Sequence, residues 1–160
     1  MARKFGEKRE ICIDPLAYNI GLIGESGIGK STVIKEVCEK LVGDDGYIAL
    51  DIGKEDGHDA INGIVSAKIP DWATFKEFCD DVIENKLTDY KDLRVVILDT
   101  FDQLLEITEP EVIRMHNRAN PDKPKITSIK AAFGGFMAGE DKAIQLVLDK
   151  MWELKSVGVS

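Results

Sequence analysis

Eight residues near the start of the chain have the spacing of a phosphate cradle: Gly24, Glu25, Ser26, Gly27, Ile28, Gly29, Lys30 and Ser31, the pattern G-x-x-x-x-G-K-S. Glycines let consecutive backbone N–H groups approach and wrap an anion. A lysine at this position reaches the β- and γ-phosphates of a nucleoside triphosphate, and the hydroxyl after it suits Mg²⁺. Thr32 completes the segment. The motif has meaning only between a strand and a helix, because the helix N-terminus adds partial positive charge to the cradle.

A second chemical signal is Asp99, which closes the run Leu93-Arg94-Val95-Val96-Ile97-Leu98. A carboxylate at the tip of a buried strand is costly unless a cation or donors meet it. Mg²⁺ bound with ATP is the reading adopted, set against an aspartate that caps the next helix. Thr100 follows, where many P-loop ATPases carry a water-activating Glu, so a general base must come from elsewhere. Glu55, with Asp56 behind it, lies just beyond the second expected strand, at the sheet edge where ligands of open α/β folds sit. The competing reading of Glu55 is a solvated loop acid. Glu25 is expected to point to solvent, and Asp102 to start a helix. Asp56-Gly57-His58-Asp59 reads better as a polar turn than as a metal site, since one histidine with flanking acids is a poor ligand set. His116, between Arg114 and Arg118, is expected to be exposed.

The elements that would hold these residues alternate strand with helix. Residues 18–23, Tyr-Asn-Ile-Gly-Leu-Ile, read as a buried strand entering the glycine loop. Residues 30–42 read as a helix, with Val33, Ile34, Val37, Cys38, Leu41 and Val42 at helical spacing and Gly43 as its stop. Residues 47–52 read as the second strand, and 53–59 as a loop. Asp71 caps a helix over about 72–85. Residues 93–99 form the third strand. A short helix within 101–107 and a separate one over 109–118, with Pro110 in its first turn, are expected next. Residues 120–125 should be irregular and Gly134-Gly135 a break. The last helix spans 140–157, Gly158 caps it, and Val159 opens a further strand. The fold class is therefore α/β, a parallel sheet flanked by helices. The expected division is an N-terminal segment, 1–17, and a nucleotide-binding domain, 18–160, whose core reads as truncated.

Composition narrows the options. With 160 residues the chain suits one domain with a real core, and its net charge of −8 argues against bulk attraction to nucleic acid. No apolar run approaches the roughly 20 residues of a membrane helix. Residues 1–10 are charged and lack the apolar stretch of a secretory signal, so a cytoplasmic address is expected. Cys12, Cys38 and Cys79 have neither metal nor redox spacing, and Cys38 reads as a buried thiol.

The P-loop, the hydroxyl after Asp99 and the acids beyond the second strand give the chain a family likeness. It resembles the RecA-like P-loop ATPases, most closely phage-type nucleotide-binding proteins of the AAA-domain group, some of which act in single-strand DNA annealing or recombination. The telling segments are 24–32, 48–60 and 95–103. The resemblance implies that Glu55 polarises the attacking water, that Asp99 is the Walker B carboxylate, that Thr100 helps couple the site to a sensor, and that a DNA-facing loop lies over about 117–139. It also implies a homo-oligomer, with sites between subunits. Arg114, Arg118, Lys123, Lys125 and Lys130, followed by Phe133-Gly134-Gly135-Phe136, supply the cations and aromatics that single-stranded DNA would need. An ordinary solvated loop is the alternative. A small-molecule kinase and a non-catalytic nucleotide switch are the competing functions.

Overall fold

The computed structural model describes residues 14–53, 61–134 and 137–160. Its centre is a parallel sheet of three strands, β1 (Tyr47–Ile52), β2 (Ser66–Ile69) and β3 (Val95–Asp99), in the order β2-β1-β3. Among the described residues four α-helices accompany it: α1 (Lys30–Val42), α2 (Trp72–Glu84), α3 (Phe101–Ala119) and α4 (Ala138–Ser156). The fold is α/β, as expected, because each parallel pairing needs a crossover.

Strand alternation sends side chains to two faces. Tyr47, Ala49 and Ile97 face α1 and pack with Cys38, Ile34 and Val42. Leu50, Ile52 and Ile69 face the other way, into the larger core with Phe75, Cys79 and Val82 of α2, Leu104 of α3 and Val147 and Leu154 of α4. The sheet is thus covered on both sides, which is why β1 reads as a near-continuous apolar run.

Several helix boundaries follow local chemistry. Asp71 caps α2 by accepting the Thr74 N–H at 2.8 Å. α1 ends at Gly43, whose φ of 77° is open to glycine and whose N–H bonds the Glu39 carbonyl. Gly158, at φ 82°, follows the end of α4, and the Val159 N–H returns to the Leu154 carbonyl.

Three expectations are corrected. Residues 18–23 form no strand; they are irregular and exposed, and among the described residues no backbone hydrogen bond ties them to β3. An apolar run becomes a strand only when a neighbour supplies its ladder. The third strand is instead β2, whose Ser-Ala-Lys-Ile has no apolar run and is held by its register against Ala49–Ile52 of β1. Finally, 101–107 and 109–118 are not separate helices. α3 runs unbroken through Pro110, because Leu104, Thr108 and Val112 stack one buried face across it. Packing on that face outweighs the missing hydrogen bond, whose cost is about 3 kcal/mol in an unsupported helix.

Candidate functional site

The glycine loop leads directly into α1. Gly27 and Gly29 both take positive φ, 78° and 92°, and a Cβ built on either meets nothing within 4 Å. Their requirement is therefore conformational: an L side chain is strained there, and glycine is not. Gly29 is the N-cap of α1 and offers no side-chain cap, and the first turn holds no acid. The first N–H groups of a 13-residue helix thus face the loop with the favourable end of the helix dipole behind them. Glu25 is exposed, as expected, and Ser26 and Ile28 are exposed beside it. Gly24 is tight, since a Cβ there would lie 2.5 Å from the Ile28 side chain.

Lys30 curls back over this loop. Its Nζ donates to the carbonyls of Gly24 at 2.9 Å and Glu25 at 2.8 Å. The ammonium is thereby tied to the first two residues of the loop. Ser31 points toward the sheet, where its hydroxyl donates to Asp99 Oδ2 at 2.8 Å across 68 residues of sequence. The helix that carries the lysine and the strand that carries the aspartate are thus joined at the two positions expected to hold Mg²⁺. A hydroxyl and a carboxylate are hard oxygen donors, the set that Mg²⁺ takes alongside phosphate and water. The donor chemistry and the uncapped helix end both fit a magnesium nucleotide. Thr32, one residue on, is exposed on the outer side of α1.

Asp99 does not cap α3. That role falls to Thr100, whose Oγ1 accepts the Gln103 N–H at 3.4 Å, and Asp102 occupies the first turn. Glu55, Asp56, His58 and Asp59 lie outside the described residues, as do Cys12, Gly135 and Phe136. No cluster of three or more His, Cys, Asp or Glu able to hold a metal occurs among the described residues.

Two neighbours of the site escape a motif search. Asp51 is only 3% exposed and lies in register between Lys68 of β2 and Asp99 of β3, on the face that carries Ser31. It lies one residue inside the end of β1, before Ile52, where the strand-end argument that picks out Asp99 does not reach it. Gln103 is the other. A Cβ on Gly53, at the end of β1, would stand 2.6 Å from Gln103 Oε1, so the amide rests against the turn that leads to Glu55. No sequence signal marks that contact.

The basic segment divides in the same way. Arg114 is held by Glu111 through two hydrogen bonds of 2.8 Å. Lys123, Lys125 and Lys130 are exposed. His116 is not simply exposed as expected: it is partly buried, its Nδ1 accepts the Phe133 N–H at 3.0 Å, and the Phe133 ring meets it edge-on. Asn117 bonds both the N–H and the carbonyl of Ile126, at 2.9 and 3.0 Å. The cysteines behave as expected where described. Cys38 and Cys79 are buried thiols, and burial pushes Cys79 up to about 12.

A glycine cradle on an uncapped helix, faced by a strand-end carboxylate in a parallel α/β sheet, defines a P-loop nucleotide-binding domain. A family model described as an AAA domain matches residues 16–139, and the chain belongs to that family. No curated protein and no solved structure matches it. Among the described residues no helix is long and apolar enough to cross a membrane.

Proposed function

We infer that this chain binds Mg-ATP at residues 24–32 and hydrolyses it. The observation that supports this best is the Ser31–Asp99 hydrogen bond beside the uncapped end of α1. In this reading the N–H groups of 27–31 take the phosphate oxygens, and Lys30 exchanges its two carbonyl contacts for the β- and γ-phosphates. Ser31 and Asp99 hold the magnesium ion, whose charge would offset that gathering on the phosphates. Glu55, two residues past Gly53, serves as the base that orients water, an assignment that rests on the family resemblance. Thr100 holds the start of α3 and links Asp99 to Gln103, which would relay the state of the site.

The resemblance carries the proposal further, to DNA recombination or repair of the phage type, with assembly of several subunits on single-stranded DNA. The exposed Lys123 and Lys125, on a loop beside α3, favour that reading over a kinase, which would need a second substrate pocket. A fluorescent ATP analogue tests the central claim. Lys30→Ala should lose binding by a factor of about a hundred or more, the scale of a charge-assisted contact to phosphate. Wild-type affinity in that variant would remove the site assignment. Glu55→Gln should retain binding and lose turnover, and surviving turnover would place the base elsewhere.

A further inference from the structure

The strand register brings side chains of different chemistry into one row. Lys68 of β2 pairs with Asp51 of β1, and Asp51 pairs with Asp99 of β3. Partners in a parallel register share a face of the sheet. Tyr47 and Ala49 of β1 turn toward α1, so Asp51, two residues further along, does the same. From the first turn of α1, Ser31 then reaches Asp99 with its hydroxyl at 2.8 Å. The row Lys68, Asp51, Asp99, Ser31 thus crosses β2, β1 and β3 and ends at the helix that follows the glycine loop.

Burial along the row is uneven. Lys68, on the edge strand, is exposed, whereas Asp51 is only 3% exposed. Neighbouring strands lie about 4.8 Å apart, so Asp51 and Asp99 stand side by side with the same charge. Like charges at that spacing repel, and burying a carboxylate adds to the cost. Support of the sheet alone would be served better by apolar side chains. Ala49 and Ile97, one step back on the same face and also in register, are such a pair. What a second carboxylate adds is a negative field at the place where Ser31 and Asp99 meet. Mg²⁺ retains several waters when it binds one or two carboxylates and a phosphate. Ser31 and Asp99 supply the direct donors, and Asp51, one strand further away, supplies acceptor oxygens for water on the ion.

We propose that Asp51 is a positioning residue of the magnesium site, accepting hydrogen bonds from water carried by the ion without touching the ion itself. Lys68, on its other side, reduces the negative field of the two carboxylates. This rests on the magnesium-nucleotide reading given above. It assigns opposite effects to two neighbours in one row. Asp51 strengthens the hold on the ion. Lys68 weakens it, because it carries the ion's sign about two strand spacings, or ~10 Å, from Asp99. A set of charges that only supported the sheet would show no such opposition, since removing either one would loosen the same structure.

The test follows the affinity of the full chain for a fluorescent ATP analogue as free Mg²⁺ is raised from an EDTA baseline. The parent, Asp51→Asn and Lys68→Met are compared, and melting in EDTA is read for each. In Asp51→Asn the Mg²⁺ concentration that gives half the gain in affinity should rise about tenfold or more, the usual effect of losing a group that orients a metal's ligands. Its affinity in EDTA should stay that of the parent. In Lys68→Met the same concentration should fall by about twofold. Lys68 is exposed, so this variant still decides the matter if Asp51→Asn melts too early to be titrated. A parent-like Mg²⁺ response in Asp51→Asn would overturn the proposal, as would an equal loss of affinity with Mg²⁺ and with EDTA, or a rise in Lys68→Met. A parent chain whose affinity for the analogue ignores Mg²⁺ would instead overturn the magnesium-nucleotide reading, and this proposal with it.

Discussion

At the scale of single residues, the site rests on one hydroxyl and one carboxylate brought within hydrogen-bond distance. Ser31 and Asp99 are held from opposite directions, one by the first turn of α1 and the other by the end of β3. Each has a separable role. Asp99→Asn removes the charge that would meet a divalent cation while leaving an oxygen for Ser31. Titrated with a fluorescent nucleotide, this variant should show weakened affinity in the presence of Mg²⁺ and unchanged affinity in EDTA. Equal weakening in both conditions would show that Asp99 only supports the fold. The motif made Lys30, Ser31 and the glycines legible because their spacing is itself the signal. Asp51 was less legible, because Ile52 continues the apolar run past it and only the pairing with Lys68 and Asp99 shows its place beside the site. Gln103 was not legible, since its contact with Gly53 links two elements far apart in sequence.

Elements whose cause is local are the ones the sequence reveals best. The span of α1 and that of β1 agree with expectation to the residue, and α2 begins where Asp71 says it should. The cap can be tested through pH. The N–H of Thr74, and then its hydroxyl, hold the Asp71 carboxyl below its ordinary value of 3.8. A lowered carboxyl stabilises the fold above its unfolded value, and that contribution is lost as pH falls through the folded value. Asp71→Ala should therefore melt lower than the parent near neutral pH, and the two melting curves should converge as pH is taken below 3.8. A constant difference across that range would mean that the charge has no part in the cap. The misread elements share a different cause. Whether 18–23 forms a strand depends on a neighbour, whether 66–69 does depends on β1, and whether α3 survives Pro110 depends on the core beneath Leu104, Thr108 and Val112. None of these is a property of the segment itself, so periodicity could not decide them.

For the whole molecule, charge is distributed against its average. A chain of net charge −8 keeps Lys123, Lys125 and Lys130 exposed together beyond the end of α3. If these lysines meet single-stranded DNA, reversing Lys123 and Lys125 to Glu should lower affinity and flatten its salt dependence, by about 0.7 in log–log slope for each phosphate no longer neutralised. Binding measured over a range of salt by fluorescence anisotropy would show it, and an unchanged slope would leave the loop as plain surface. Overall fold class was legible from alternation alone; the order of strands was not, because it depends on crossovers that carry no local mark. The loop that bears the lysines has one further consequence. Asn117 grips both main-chain groups of Ile126, so one amide side chain acts as a short piece of strand and closes the intervening residues into a ring. Most of the freedom such a loop could lose is already lost in the folded protein. A polyanion that docks there should bind like a key on a stiff surface, with a calorimetric entropy set by released counterions rather than by the ordering of a tether.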